Sequence, residues 1–224
     1  MRTVILFLAV TLTVAFNGNL LAQHKQEMKK SHMNMAEKSM RSPAFDLKTN
    51  MRQLWEEHVI WTRNVIMCLV DNTPGKNQAV KRLLKNQDDI GNAIKPYYGE
   101  AAGKKLTDLL YPHIKIAAEV VNAAKAGNSV ALDKANKRWY ANADEIAEFL
   151  SKANPNWKLK DMKEMMHDHL KLTTEEALKR IKKDYDGDVK AFDLVHFEIL
   201  KMSDMLAEGI VMQFPAKFKM EAKK

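Results

Sequence analysis

The fold is decided by the stretch Leu54-Trp55-Glu56-Glu57-His58-Val59-Ile60-Trp61-Thr62-Arg63. Its pattern is an apolar pair, two spacer residues, a histidine, and then apolar residues that end in threonine. The same pattern, with alanine or threonine at its end, recurs at residues 109–117 and 165–173. Apolar residues around each histidine recur at spacings of three and four, which is the period of an amphipathic helix. We therefore expect His58, His113 and His169 to lie on the buried side of three helices.

Helical periodicity extends over most of the chain, and no segment shows the alternation of a half-buried strand. Ser42-Pro43 is typical of a helix start, and Asn72-Thr73-Pro74-Gly75 of a stop. Thr173-Thr174-Glu175-Glu176 resembles a capping box that restarts a helix. We predict an all-α domain over residues 42–215, with an up-and-down four-helix-bundle core and extra short helices. The predicted helices are about 43–70, 77–86, 88–95, 100–126, 130–153, 159–172, 174–185 and 188–214.

The N-terminal 41 residues divide into two segments that we do not assign to the bundle. Residues 1–22 combine a positive start, a thirteen-residue stretch that is apolar apart from two threonines, and a small residue before Gln23, which is typical of a secretory signal peptide. We therefore expect export to the periplasm or the extracellular space, and no integral membrane segment after cleavage. Residues 23–41 form a predicted flexible tail, and 216–224 a predicted basic tail. The methionines and histidines of 23–41 suit copper, or reflect the composition of a disordered segment.

Composition excludes several classes of function. The chain has 224 residues and a formal net charge of +8. The lysines are scattered without interleaved aromatic residues, so we expect no nucleic-acid partner. Cys68 is the only cysteine, so stability must come from packing and not from an internal disulfide. No glycine-rich phosphate loop is present, which argues against a nucleotide cofactor.

Three inward histidines need an explanation, because a buried imidazole costs stability unless both ring nitrogens are satisfied. One hypothesis is a transition-metal site with His58, His113 and His169 as ligands. Asn142 and Asp144, at the centre of a long predicted helix, would supply a fourth ligand or orient a histidine. Three histidines and a water suit zinc or copper better than iron.

The alternative is a non-catalytic module that binds a cell-envelope component, in which the core histidines are structural. In that reading they are hydrogen-bonded inside the core, while Glu57 and Arg63 form an ion pair on the surface. No group that would position a substrate identifies itself, so the sequence favours a binding protein over an enzyme.

Three segments, 54–63, Arg138-Trp139-Tyr140-Ala141-Asn142-Ala143-Asp144 and 209–214, resemble a family of uncharacterised bacterial helical-bundle proteins. The resemblance covers most of the chain after residue 22. It implies the helical fold and draws attention to His58, His113, Asn142, Asp144 and His169, but it implies no activity.

Overall fold

The computed structural model describes residues 42–219, which form five α-helices and one short 3-10 helix, with no β-strand in this range. This confirms the predicted all-α class. The predicted signal peptide, the predicted tail at 23–41 and the last five residues lie outside the described residues. The helices are α1 (Pro43–Asp71), α2 (Lys76–Lys125), α3 (Ser129–Ala153), α4 (Leu159–Ile181) and α5 (Tyr185–Gln213), and the 3-10 helix is Pro215–Phe218.

Helix α1 begins and ends where its sequence predicts. The side-chain oxygen of Ser42 accepts a hydrogen bond from the backbone N–H of Phe45 at 3.2 Å, and Pro43 occupies the first helical turn. Asn72 adopts a left-handed conformation with φ 54°, which ends the helix. The stretch that contains His58 is therefore held in one uninterrupted helix.

Helix α2 replaces the two short pieces and the long helix that were predicted between 77 and 126. It continues through Pro96 and is broken only at Gly99, whose φ of 85° lies outside the helical region. This divides α2 into a first half, 76–98, and a second half, 100–125. The halves fold back on each other at Gly91 and Gly103, where a Cβ on either glycine would lie 2.6–2.7 Å from the other's carbonyl oxygen. Glycine is required here because the two backbones approach so closely.

Helix α4 is continuous where the sequence predicted a break. The proposed capping box at 173–176 lies inside the helix, with Thr173 and Glu176 both buried. The Thr174 hydroxyl donates to the Leu170 carbonyl oxygen at 2.8 Å, a bond within the helix. The capping-box prediction was wrong because burial of this side of the helix outweighs the local capping signal.

The helices pack as three successive hairpins. The first consists of α1 and the first half of α2, the second of the second half of α2 and α3, and the third of α4 and α5. Lys125, at the end of α2, donates to the Leu69 carbonyl oxygen at 2.8 Å and to the Asn72 side chain at 2.7 Å, at the end of α1. The first helices of hairpins one and two are therefore parallel, and α5 packs against α1 to close the arrangement. The finer expectation, a four-helix up-and-down core, stays a prediction.

Buried apolar side chains from all five helices form the core, together with Trp157 from the α3–α4 connection. A second, smaller apolar cluster surrounds Val65, Leu83 and Ile114 nearer the ends of α1 and α2. None of the helices in residues 42–219 is both long enough and apolar enough to cross a bilayer.

Candidate functional site

His58, His113 and His169 meet inside the domain, as the repeated sequence pattern predicts. They lie on α1, the second half of α2 and α4, and each is only 2–3 % exposed. The ring centroids of His58 and His169 are 5.8 Å apart, and those of His113 and His169 are 6.4 Å apart. Helices from all three hairpins therefore contribute one imidazole each to a single cluster, which we call the histidine cluster.

The three histidines occupy equivalent positions in their hairpins. They are separated by 55 and 56 residues in the sequence. Each is preceded by buried apolar residues seven and three positions earlier, which places the same side of each helix toward the centre. These residues are Met51 and Trp55 in α1, Leu106 and Leu110 in α2, and Met162 and Met166 in α4.

Each histidine Nδ1 contacts a polar side chain that lies 29 residues further along the chain, on the second helix of the same hairpin. Gln87 Nε2 lies 3.3 Å from His58, Asn142 Oδ1 lies 2.9 Å from His113, and Glu198 Oε2 lies 3.1 Å from His169. These three contacts all use Nδ1 and leave Nε2 for another partner, and His58 also interacts with the side chain of Asn86.

The partners of His113 and His169 fix their tautomers. The amide nitrogen of Asn142 donates to the Leu109 carbonyl oxygen at 3.1 Å, so its side-chain oxygen faces His113 and accepts from Nδ1–H. The Glu198 carboxylate is likewise an acceptor for His169. His113, which is neutral, therefore carries its proton on Nδ1 and keeps a lone pair on Nε2, the form that binds a metal ion, while the partner of His169 holds a proton on its Nδ1.

The partner of His58 does not fix its tautomer in the same way. Gln87 Nε2 donates to the Leu83 carbonyl oxygen at 2.8 Å and to Asn86 Oδ1 at 3.1 Å. These two shorter bonds use both amide hydrogens, which leaves the 3.3 Å contact to His58 weak. Gln87 Oε1 is buried and has no hydrogen-bond partner in the structure. Oε1 could accept from His58 Nδ1–H only if Gln87 gave up its hydrogen bonds to Leu83 and Asn86.

Burial keeps His58 and His113 uncharged. The pKa of His113 is lowered to about 3, first by desolvation and then by the neighbouring His169, against the opposing hydrogen bond to Asn142. The pKa of His58 is also lowered well below its ordinary value, first by burial and then by His169 and His113. At neutral pH these two imidazoles are neutral, which is the form that coordinates metals.

The rings border an enclosed cavity of about 20 Å³. That volume accommodates one water-sized particle. The polar groups among its lining side chains are the three imidazoles and the indole N–H groups of Trp55 and Trp157. The rest of the lining is aliphatic or methionine. A polar or charged occupant would therefore interact with the imidazoles.

The structure brings Asn142 to the cluster but not Asp144. Asp144 Oδ1 lies 2.9 Å from His167 Nε2, and its other oxygen lies 3.3 Å from Lys163, on the outer side of α3 and α4. The side chain of His167 is 41 % exposed, whereas His169, which the sequence places on the buried side of the helix, is 3 % exposed. His196, which follows the buried Val195, lies 2.9 Å from a carboxylate oxygen of Glu56 and is half-buried.

Sequence reasoning missed Gln87 and Glu198, and it paired Arg63 with the wrong residue. The signal for the first two was present, since a polar residue follows each motif histidine at the constant interval of 29. Arg63 contacts Glu176 at 2.7 Å and Asp188 at 2.8 and 3.0 Å, both buried, instead of Glu57 on the surface. Burial raises the pKa of Glu176 to about 7, although Arg63 opposes that shift. Glu57 pairs with Arg82 at 2.7 Å.

As the side chains lie in the structure, no group of three or more His, Cys, Asp or Glu residues within 42–219 is arranged so that it could hold a metal ion. Comparisons of the chain with protein-family models, curated proteins and solved structures find no match. The resemblance to a family of bacterial helical-bundle proteins therefore stays a prediction.

Proposed function

We propose that the protein is an exported helical-bundle protein that binds one transition-metal ion in its core through His58, His113 and His169. The observation that carries the proposal is the convergence of three buried imidazoles, one from each hairpin, on one small cavity. Within this proposal the helices around the cavity include the predicted four-helix core, and the signal peptide directs the protein to the periplasm or beyond.

The donor set supports the proposal because it has the features of a histidine metal site. Metal-binding histidines usually donate Nδ1–H to a carboxylate or carbonyl-type oxygen, which orients the ring and presents Nε2 to the metal. Asn142 and Glu198 provide that oxygen for His113 and His169. Asn142 would thus have the orienting role that was one of its two predicted roles, while Asp144 is engaged with His167 and Lys163.

Metal binding requires the three rings to move closer than they lie in the structure. With metal–nitrogen bonds of about 2.0–2.1 Å, the ring centroids of a three-histidine site are about 5–5.5 Å apart. The observed separations from His169 are 5.8 Å to His58 and 6.4 Å to His113, so contractions of about 0.5 Å and about 1 Å are needed. His58 must also place its proton on Nδ1, which requires Gln87 to exchange its hydrogen bonds to Leu83 and Asn86 for one from His58 to Oε1.

The ligand type and the size of the cavity favour particular metals. Three neutral imidazoles with one open position suit zinc, or copper as Cu(II), better than iron. The cavity has room for one particle of about the size of a water molecule, which is the space that the metal ion would occupy. No side chain that would position a substrate lies at the cluster, so we propose binding and not catalysis.

The second candidate is a non-catalytic module in which the histidines are structural and a surface engages a cell-envelope component. The hydrogen bonds of His113 and His169 favour it, because buried imidazoles held by polar side chains of a neighbouring helix can specify a core without any metal. The two candidates differ in one measurable respect. A metal that binds only the folded state raises its stability, whereas structural histidines are insensitive to metal.

The test is thermal unfolding of the chelator-treated protein with and without zinc or Cu(II), compared with His113→Asn. We expect the metal to raise the melting temperature of the wild type and to leave His113→Asn unchanged. His167→Asn, which removes an exposed histidine, is the matched control and should respond like the wild type. Equal melting temperatures with and without each metal in the wild type would favour the structural alternative.

A further inference from the structure

A second cavity, of about 210 Å³, lies one helical turn beyond the histidine cluster. Residues four positions after each histidine, Thr62, Ala117 and Thr173, line it together with apolar side chains of α1, α2, α3 and α4. The cavity therefore occupies the region toward the C-terminal ends of the first helices of the three hairpins. We call it the upper cavity.

Two buried polar atoms on residues that line the upper cavity lack a hydrogen-bond partner in the structure. They are Nε1 of Trp139 and Oγ1 of Thr173, in side chains that are only 2–3 % exposed. Leaving such a group unsatisfied destabilises the folded protein, because its hydrogen bond to water is lost and not replaced. A partner brought by a ligand would recover that free energy, and Trp139 in particular can only donate.

The neighbouring threonines show that the free hydroxyl of Thr173 is unusual. Thr62 donates to the His58 carbonyl oxygen at 2.7 Å, and Thr174 donates to the Leu170 carbonyl oxygen at 2.8 Å. Both hydroxyls are satisfied by their own helix. Thr173 faces the same cavity without such a bond, so it is the threonine that remains for an occupant.

The cavity has the size and access that a small ligand needs. An apolar cavity of about 150 Å³ is known to hold benzene, so 210 Å³ admits a substituted single ring. Its lining between α2, α3 and α4 includes half-buried Leu132, Asn136 and Thr174 and the 37 % exposed Leu178, which form the side nearest solvent. Val65, Leu83 and Val121 line its buried side.

We propose that the upper cavity binds a small apolar molecule, about the size of one substituted aromatic ring, that carries a hydrogen-bond acceptor such as a carbonyl oxygen. The acceptor is bound by Trp139 and Thr173, and the ring by the surrounding aliphatic side chains. This site does not depend on metal in the histidine cluster, although Trp139 also contacts His113 with ring centroids 5.5 Å apart.

The test uses acetophenone and ethylbenzene, which have nearly the same shape and differ in the carbonyl oxygen. Titration of the ¹⁵N-labelled full chain with each compound is followed through the indole N–H signals, assigned with Trp139→Phe. We expect saturable binding of acetophenone with a downfield shift of the Trp139 indole proton. Ethylbenzene should bind at least several-fold more weakly and leave that proton nearly unshifted.

Two variants and a control distinguish a loss of ligand binding from a loss of folding. Thr173→Val keeps the side-chain shape and removes the hydroxyl, so acetophenone should bind several-fold more weakly while ethylbenzene is unaffected. Ala117→Leu fills the cavity and should abolish binding of both compounds, whereas the exposed Ala141→Leu should not. Absence of saturable binding, or equal binding of acetophenone by wild type and Ala117→Leu, would overturn the proposal.

Discussion

The side chain of Asn142, on α3, makes hydrogen bonds to both the ring of His113 and the backbone of α2, the helix that carries His113. Its oxygen lies 2.9 Å from His113 Nδ1, and its nitrogen lies 3.1 Å from the Leu109 carbonyl oxygen one turn before the histidine. A single amide therefore sets the position and the tautomer of the ring, and α3 is tied to α2 at the same point.

Replacing Asn142 with Leu should destabilise the protein and weaken metal binding. The substitution leaves His113 Nδ1–H without its buried acceptor, which costs about 1–3 kcal/mol of unfolding free energy. Loss of such an orienting partner should also lower metal affinity about 10- to 100-fold. Urea unfolding and competitive metal titration measure the two effects. Unchanged metal affinity in a folded Asn142→Leu protein would separate Asn142 from the proposed site.

Glu198→Gln tests the one carboxylate that contacts the cluster. The amide oxygen of glutamine can still accept from His169 Nδ1–H, so we expect a change in stability of no more than about 1 kcal/mol. The carboxylate raises the basicity of the imidazole more than an amide does, and we therefore expect metal affinity to fall by up to about 10-fold. Isothermal titration with zinc measures this. Tighter zinc binding in Glu198→Gln would contradict the assigned role.

The depressed pKa of His113 makes stability depend on pH in the metal-free protein. Between pH 6.5 and about 3 the unfolded chain binds a proton at this residue that the folded protein excludes. The contribution of the neutral His113 ring to the free energy of unfolding is thus complete above pH 6.5 and is lost as the pH falls toward 3. His58 acts in the same direction. From pH 7.5 to 4.5, the stability advantage of wild type over His113→Gln should shrink by about 2–3 kcal/mol.

Urea unfolding in the presence of a chelator at a series of pH values provides this comparison. His167→Gln, at an exposed position, is the control for the general effect of pH on the protein. A stability difference between wild type and His113→Gln that stays constant with pH would show that His113 titrates alike in the folded and unfolded states.

Substitution of Arg63 should lower the free energy of unfolding more than substitution of most other charged residues in the domain. Arg63→Met leaves Glu176 without its ion-pair partner in the interior, although Asp188 keeps a contact with Arg180 at 3.3 Å. Breaking a buried pair in this way costs about 3–5 kcal/mol. The loss should be smaller at pH 5 than at pH 8, because burial raises the pKa of Glu176 and an unpaired Glu176 can be protonated.

Arg52→Met is the matched control for Arg63→Met. Arg52 also contacts an aspartate with two nitrogens, but it lies on the surface, with 48 % of its side chain exposed. We expect a cost of about 1 kcal/mol or less, because exposed ion pairs contribute little. Equal unfolding free energies for the two variants would show that the Arg63 network is not a buried ion pair in solution.

Much of the fold could be predicted from apolar periodicity, because the long helices each carry an unbroken buried stripe. The motif also placed His58, His113 and His169 inside. The errors arose where tertiary packing outweighs local signals. At Thr173 burial overrides a capping pattern, and at Pro96 the helix continues until Gly99 supplies the conformation that a reversal needs.

The partners of the histidines were harder to predict, because each partner lies on a different helix from its histidine. A hydrogen bond between two helices leaves no local pattern in the sequence. Asn142 and Asp144 were both selected because they lie at the centre of a long predicted helix. Two residues along a helix correspond to a rotation of about 200°, so Asn142 and Asp144 face opposite sides.

The most direct test of the proposed metal site is elemental analysis of untagged protein that has been loaded with zinc or Cu(II) and desalted. The protein should carry His24→Ala and His32→Ala, which removes the histidines of the predicted tail. We predict about one equivalent of metal, and less than about 0.1 equivalent when His58, His113 and His169 are all replaced by asparagine. Less than about 0.1 equivalent of either metal in the protein that retains these three histidines would contradict the account.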